Sequence, residues 1–227
     1  MNRKTIVWAA AAWLTGILCL SACSGGAVEW SVRKHPMVLK CFGDPQPVTT
    51  DRGEAVRFDG EDDGLFVEGV PVAGLKEFTL EMVFRQEPSE HFEQRFLHMG
   101  EFAGNRIMFE SRVNPDSTWY FDAYVHQGDP EHNVVLIDPA RTHPCGQWYT
   151  LTLVASEKGM TTYVNGEEQC HSDVPYIGTV GEGLTSIGVR QNLVCWFNGD
   201  ILSLRVTPRA EVPARGGGPT RITGLEI

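Results

Sequence analysis

The chain has 227 residues, 42% of them hydrophobic and 21% charged, with a formal net charge of −10 at pH 7. That surplus of carboxylates argues against nucleic acid or an anionic lipid surface as partner, because both need a basic face; a neutral partner such as a glycan is compatible with it. The length suits one large all-β domain or two small ones, and it suffices for a single buried core.

Arg3 and Lys4 open an apolar run from Ile6 to Leu20 that closes in Leu20-Ser21-Ala22-Cys23. A basic start, an apolar stretch and small residues before a cleavage point describe a secretory signal. The run is shorter than the roughly 20 residues a membrane span needs. Its last four residues resemble the bacterial lipobox. The resemblance implies cleavage before Cys23, a diacylglycerol on its thiol, and anchoring to the cell envelope through lipid. Ser24, where an aspartate would retain the chain at the inner membrane, implies export to the outer membrane by the rule known for enteric lipoproteins. Loss of residues 1–22 leaves 205 residues and takes the formal charge to −12. An ordinary cleaved signal is the plainer alternative.

Residues 23–35 carry Ser, Gly and Ala and read as a tether. From residue 36 to 212, short apolar runs alternate with turn signals, and no sustained 3.6-residue period or internal repeat is present. Strands are expected over Ala55–Phe58, Leu65–Glu68, Phe78–Phe84, Arg95–Gly100, Arg106–Arg112 and Trp119–Val125. Further strands are expected over Val134–Asp138, Tyr149–Ala155, Met160–Val164, Leu184–Val189 and Ile201–Thr207. Many short period-2 runs at close spacing predict an all-β, two-sheet antiparallel β-sandwich. Residues 213–227, with Gly216-Gly217-Gly218-Pro219, read as a flexible tail.

Cys19 would leave with the signal and Cys23 would carry lipid, so Cys41, Cys145, Cys170 and Cys195 remain as disulfide candidates. A hairpin about Glu157-Lys158 would set Cys145 opposite Cys170. Asn165-Gly166 is itself a strong two-residue turn signal, and a second hairpin there would carry Cys170 away. The connectivity stays open.

Four stretches in order resemble the laminin-G-like jelly roll of the concanavalin A-like lectin/glucanase superfamily. They are Ala55–Val67 with Phe58-Asp59-Gly60, then Phe78–Phe84, then Gln147–Gly166 with Trp148 and Tyr163, and last Ile187–Val206 with Phe197-Asn198-Gly199. The resemblance implies a concanavalin A-like jelly roll with one concave sheet, and places Phe58, Trp148, Tyr163 and Phe197 in or between the sheets. Glucanases of the superfamily use two glutamates in the spacing Glu-x-Asp-x-x-Glu, which holds the carboxylates about 5–5.5 Å apart for retaining chemistry. Glu61-Asp62-Asp63 begins like that motif, but Phe66 and Val67 stand where the second glutamate would fall. No catalytic residue is therefore assigned and no cofactor is required. Many relatives hold a structural calcium. Here Leu202 and Ser203 follow Ile201 where the family has Asp-Glu, which leaves Asp59, Asp62, Asp63 and Asp200 as the carboxylates that could still contribute. His91-Phe92-Glu93 with His98, and His126 with Asp129 and His132, are alternative metal sets, set against the commoner case of surface histidines in β loops.

If Trp119, Phe121 and Ala123 face the core, the other side of that strand presents Tyr120, Asp122, Tyr124 and His126, beside Arg106, Glu110 and Arg112 of the preceding strand. Tyrosine rings beside carboxylate and guanidinium groups suit a sugar, whose C–H faces stack while its hydroxyls take bidentate hydrogen bonds. A solvated outer face with routine cross-strand pairs is the bland alternative. The function expected first is a non-catalytic, lectin-like carbohydrate-binding lipoprotein of the bacterial envelope. An envelope-protein interaction module is the second reading, and a glycoside hydrolase with an unrecognised carboxylate pair the third.

Overall fold

The computed structural model describes residues 28–31 and 38–216; Cys23 and the end of the expected tail lie outside the described residues. The strands are β1 (Val28–Ser31), β2 (Val38–Phe42), β3 (Gln46–Thr50), β4 (Gly53–Asp59), β5 (Gly64–Glu68) and β6 (Phe78–Gln86). They continue as β7 (Glu93–Gly100), β8 (Arg106–Val113), β9 (Thr118–His126), β10 (Val134–Ile137) and β11 (His143–Pro144). The last are β12 (Trp148–Ser156), β13 (Gly159–Val164), β14 (Glu167–Ser172), β15 (Leu184–Ile187) and β16 (Asn198–Thr207). Among the described residues no helix is long and apolar enough to cross a membrane.

Two eight-stranded antiparallel sheets form the sandwich. One runs β14-β13-β12-β6-β16-β4-β3 with β1 added against β16; the other runs β10-β9-β8-β7-β15-β5-β2 with β11 added against β9. The period-2 pattern explains the packing directly. Phe78, Leu80, Met82 and Phe84 of β6 point inward, and so do Trp119, Phe121, Ala123 and Val125 of β9. Phe84 lies at the centre of this core, stacked on Phe96 with ring centroids 4.9 Å apart and edge-on to Trp119 at 5.0 Å. Phe197 adds a third ring at 5.9 Å, so aromatics from both sheets meet at one point.

Several expectations need correction. Residues 28–31, inside the expected tether, pair with β16 from Val28↔Val206 to Ser31↔Ser203. Trp148 lies outside the space between the sheets; it packs with Ala55, Val83, Leu202 and Val48 on the outer face of the first sheet, under the Arg85 guanidinium at 5.2 Å. Tyr163 is buried but stands outside the inter-sheet cluster. Both hairpins form: Leu151 opposes Val164, and Asn165 and Gly166 take positive φ of 51° and 79° at the second turn. Cys170 is thereby carried onto β14, and Cys41, Cys145, Cys170 and Cys195 all stand as free thiols, so no pairing among them is made. The start of the expected tail lies against the second hairpin turn, where a Cβ on Gly166 would meet the Ala214 carbonyl.

Candidate functional site

The outer sides of β8 and β9 carry the residues expected there. Register sets Arg112 opposite Tyr120, Glu110 opposite Asp122, and Arg106 opposite His126. The groups are already committed to one another. Arg112 donates through Nη2 and Nε to Asp122 Oδ2 at 2.6 and 3.0 Å, and through Nη2 to Glu110 Oε2 at 3.1 Å. Arg95 Nε lies 2.9 Å from Glu110 Oε1, and Glu93 bridges both guanidinium groups at 3.2 and 2.8 Å. Glu110 and Asp122 are only 3% and 4% exposed. Burial pushes the Glu110 carboxyl above its ordinary pKa against the pull of Arg95 and Arg112. These carboxylates therefore hold the sheet face together and do not project toward a ligand. Tyr124 stands under the Arg106 guanidinium at 5.2 Å with His126 beyond it, at the other end of β9 from Tyr120.

Tyr120 leads to a feature that the strand pattern does not reveal. Its ring meets Phe92, centroid to centroid, at 6.4 Å. Phe92 is 49% exposed and lines a cleft of about 300 Å³ with Glu93, Cys195 and Trp196. A second lobe of about 480 Å³ adjoins it, lined by Asp59, Glu90, Asn114, Pro115, Ser117 and Asn198 among others; Gly60, Glu61 and His91 belong to both lobes. The cleft sits at one end of the sandwich, where four connections converge: β4–β5, β6–β7, β8–β9 and β15–β16.

Buried amides hold these loops in place. Gln94 Oε1 accepts from the Asn198 backbone N–H at 2.8 Å and from Gln86 Nε2 at 3.0 Å, while Gln94 Nε2 donates to the His91 carbonyl at 3.2 Å. Ser111 Oγ closes the set by donating to Gln86 Oε1 at 2.6 Å. Gln86, Gln94 and Ser111 are all fully buried and satisfied, which makes the cleft floor rigid. Gly60 permits the close approach of β4 and β16: it has φ of +82°, and a Cβ there would lie 2.9 Å from Asn198 Cβ.

The acidic set divides. Asp59, Asp62 and Asp63 bring carboxylate oxygens within 4.8 Å of one another. Asp200 does not join them; it is fully buried on β16, where Arg57 donates to it at 2.5 and 3.0 Å and Arg85 donates from the other side. Asp59 Oδ1 accepts the backbone N–H groups of Glu61, Asp62 and Asp63 at 2.8, 3.2 and 3.3 Å, while Asp63 accepts from Asp44 and Asp59 at 2.7 and 3.1 Å. Burial pushes the Asp63 carboxyl up. This is turn-building chemistry. Half of the carboxylate oxygens are spent on the backbone, and those left do not by themselves make the shell of roughly six to eight oxygens that calcium takes.

The histidines stay apart. His98 is fully buried, with a ring nitrogen 3.0 Å from the Glu101 carbonyl, and burial lowers its pKa to about 4. His132 lies 3.6 Å from Asp129, while His126 Nδ1 accepts from the Gly128 backbone N–H at 3.2 Å. The residues that sequence reasoning missed are Phe92 as a surface ring, Trp196, Glu90, Asn114 and Asn198. A lone phenylalanine inside the polar run Ser89-Glu90-His91-Phe92-Glu93-Gln94 was the one available signal.

Residues 59–214 match the family model Laminin_G_3, described as the Concanavalin A-like lectin/glucanases superfamily. None of the curated proteins matches the sequence. Among solved structures, the native heptameric SAP-like pentraxin of Limulus polyphemus superposes with a TM-score of 0.53 at 17% identity, over 68% of this chain and 76% of that one. The CBM40 domain of the Ruminococcus gnavus IT-sialidase, bound to α2,3-sialyllactose, gives 0.51 at 16% identity over 82% and 94%. Domain 4 of AbnA, a GH43 extracellular arabinanase from Geobacillus stearothermophilus in complex with arabinotriose, gives 0.50 at 17% identity over 84% and 86%. At these identities the likeness is one of fold.

Proposed function

Because the chain belongs to the Concanavalin A-like lectin/glucanases superfamily, we propose that it is a non-catalytic carbohydrate-recognition domain, held at the bacterial outer membrane by a lipid on Cys23. The observation that carries the reading is the end cleft, where an exposed aromatic ring stands beside amide and carboxylate side chains on a rigid floor. A sugar needs an apolar platform for its C–H face and convergent polar groups for its hydroxyls. Phe92 and Trp196 supply the first, and Asn114, Asn198 and Glu61 the second. Two solved structures of this fold carry sialyllactose and arabinotriose, which supports a glycan as the ligand class. The superfamily's paired-glutamate motif is missing from the sequence, and Glu110 and Asp122, the carboxylates that meet through Arg112, are buried beneath it.

Affinity electrophoresis of residues 24–227 against a polysaccharide panel tests the site. Phe92→Ala and Trp196→Ala should each weaken retention about tenfold, the loss expected for one stacking contact of about 1.4 kcal/mol, while Tyr124→Ala leaves it unchanged. Retention unaffected by the cleft variants, or capture of an envelope protein with no polysaccharide retained, counts against this reading. The anchor is tested by metabolic labelling with an alkyne fatty acid, which should mark the wild type and not Cys23→Ser.

A further inference from the structure

The charge of the cleft says more than its shape. Asp59, Glu61, Glu90 and Glu93 line its two lobes, and no lysine or arginine does so among the described residues. The single basic side chain there, His91, lies 3.8 Å from Glu61 Oε1. Glu93 is neutralised from behind by Arg95 and Arg112, but the described contacts give Glu90 no such partner. Asp59 sits on the rim with Asp62 and Asp63, which adds to the negative field. The aromatic pair Phe92 and Trp196 shares the narrower lobe with Glu61, so a cation placed there meets carboxylate oxygens and a ring face together. A formal net charge of −10 on the whole chain draws cations toward the same surface.

We infer that the cleft selects glycans bearing free amino groups, with the protonated amine in the lobe that Glu61 shares with the Phe92 ring and Glu90 adding its charge from the adjoining lobe, over neutral and anionic glycans. The inference rests on the carbohydrate-binding reading and adds the chemical class of the sugar. A free-amine hexosamine is the simplest such ligand. Its ammonium is held by Glu61 through a charge-assisted hydrogen bond, with the Glu90 carboxylate strengthening the field from the adjoining lobe, while the ring lies on the aromatic side. Acetylation removes the charge and leaves the sugar otherwise unchanged. A uronate would set its carboxylate against four others.

Calorimetry with four tetrasaccharides of equal length separates the outcomes: glucosamine, N-acetylglucosamine, glucose and galacturonate. The glucosamine tetramer should bind at least tenfold more tightly than the N-acetylated and glucose tetramers, with galacturonate weakest. Glu61→Gln combined with Glu90→Gln should erase that preference, bringing the glucosamine-to-glucose affinity ratio to within twofold of one. Glu157→Gln combined with Glu182→Gln, two acidic changes away from the cleft, should leave it intact. Equal binding of the glucosamine and glucose tetramers, tightest binding of galacturonate, or a preference that survives the Glu61 and Glu90 changes overturns the inference and leaves carbohydrate binding standing. No binding of any tetramer overturns both.

Discussion

Arg112→Ala is expected to lower the unfolding free energy by about 3–5 kcal/mol at pH 7, the cost of stripping one partner from a buried charge network. Among the described residues, Arg112 is the only group that touches all three carboxylates of the outer face: Glu93 at 2.8 Å, Glu110 at 3.1 Å and Asp122 at 2.6 Å. Without it, Glu110 keeps Arg95, but Asp122 is left buried beside another carboxylate. The pH dependence has a definite sign. Folding raises the Glu110 pKa, so the folded chain holds that proton more tightly and stability falls as pH rises from the ordinary glutamate value through the folded one. Arg112 opposes the shift, and its removal widens it. The penalty should therefore be greatest at pH 7 and shrink toward pH 4, where the Glu110 carboxyl can take up a proton. Urea unfolding at both pH values checks this. A loss below about 1 kcal/mol, equal at the two, would show that the network is a surface ornament of the kind exposed ion pairs often are.

Phe84→Ala should cost a similar amount, about 3–5 kcal/mol, through a different cause. Its ring is fully buried and contacts Phe96, Trp119, Tyr149 and Phe197, with centroids 4.9, 5.0, 6.5 and 5.9 Å away. These neighbours come from β7, β9, β12 and the approach to β16, so they cannot close together over the lost ring without moving two sheets. In a domain of this size the melting temperature should fall by roughly 10 °C. Phe84→Leu, which refills most of the volume, should recover more than half of the loss. Thermal unfolding followed by circular dichroism distinguishes the two, and equal melting temperatures for Phe84→Ala and the wild type would contradict the packing described here.

Strands whose two sides differ were legible in the sequence. β4 to β10, β12, β13, β15 and β16 all follow from alternation, and the separation of Trp119, Phe121 and Ala123 from Tyr120, Asp122 and Tyr124 is correct. The missed strands lack that contrast. β2 and β3 are exposed along nearly their whole length at sheet edges, and β3 contains Pro47, which an edge tolerates. β14, Glu-Glu-Gln-Cys-His-Ser, is polar throughout and is made a strand by the turn before it. The reading of the outer face failed for another reason. Alternation tells which side of a strand a residue takes, not whether Arg95 and Arg112 from neighbouring strands will spend its carboxylate. The cleft was out of reach altogether, since Glu61, His91, Asn114 and Trp196 are separated by up to 135 positions and meet only once both sheets are assembled.

The pairing of β1 with β16 sets an orientation. Val28 lies beside Val206 toward the C-terminal end of β16, whereas Asn198, at the N-terminal end of the same strand, lines the cleft. Eight residues of strand separate the two, about 27 Å. From Cys23 to Val28 the chain can reach at most about 18 Å even when fully extended. With Cys23 acylated as proposed, the leash is shorter than the domain it holds, and the cleft opens on the side of the molecule remote from the leaflet. Large polymers could then be met end-on from solvent, without first threading between protein and membrane.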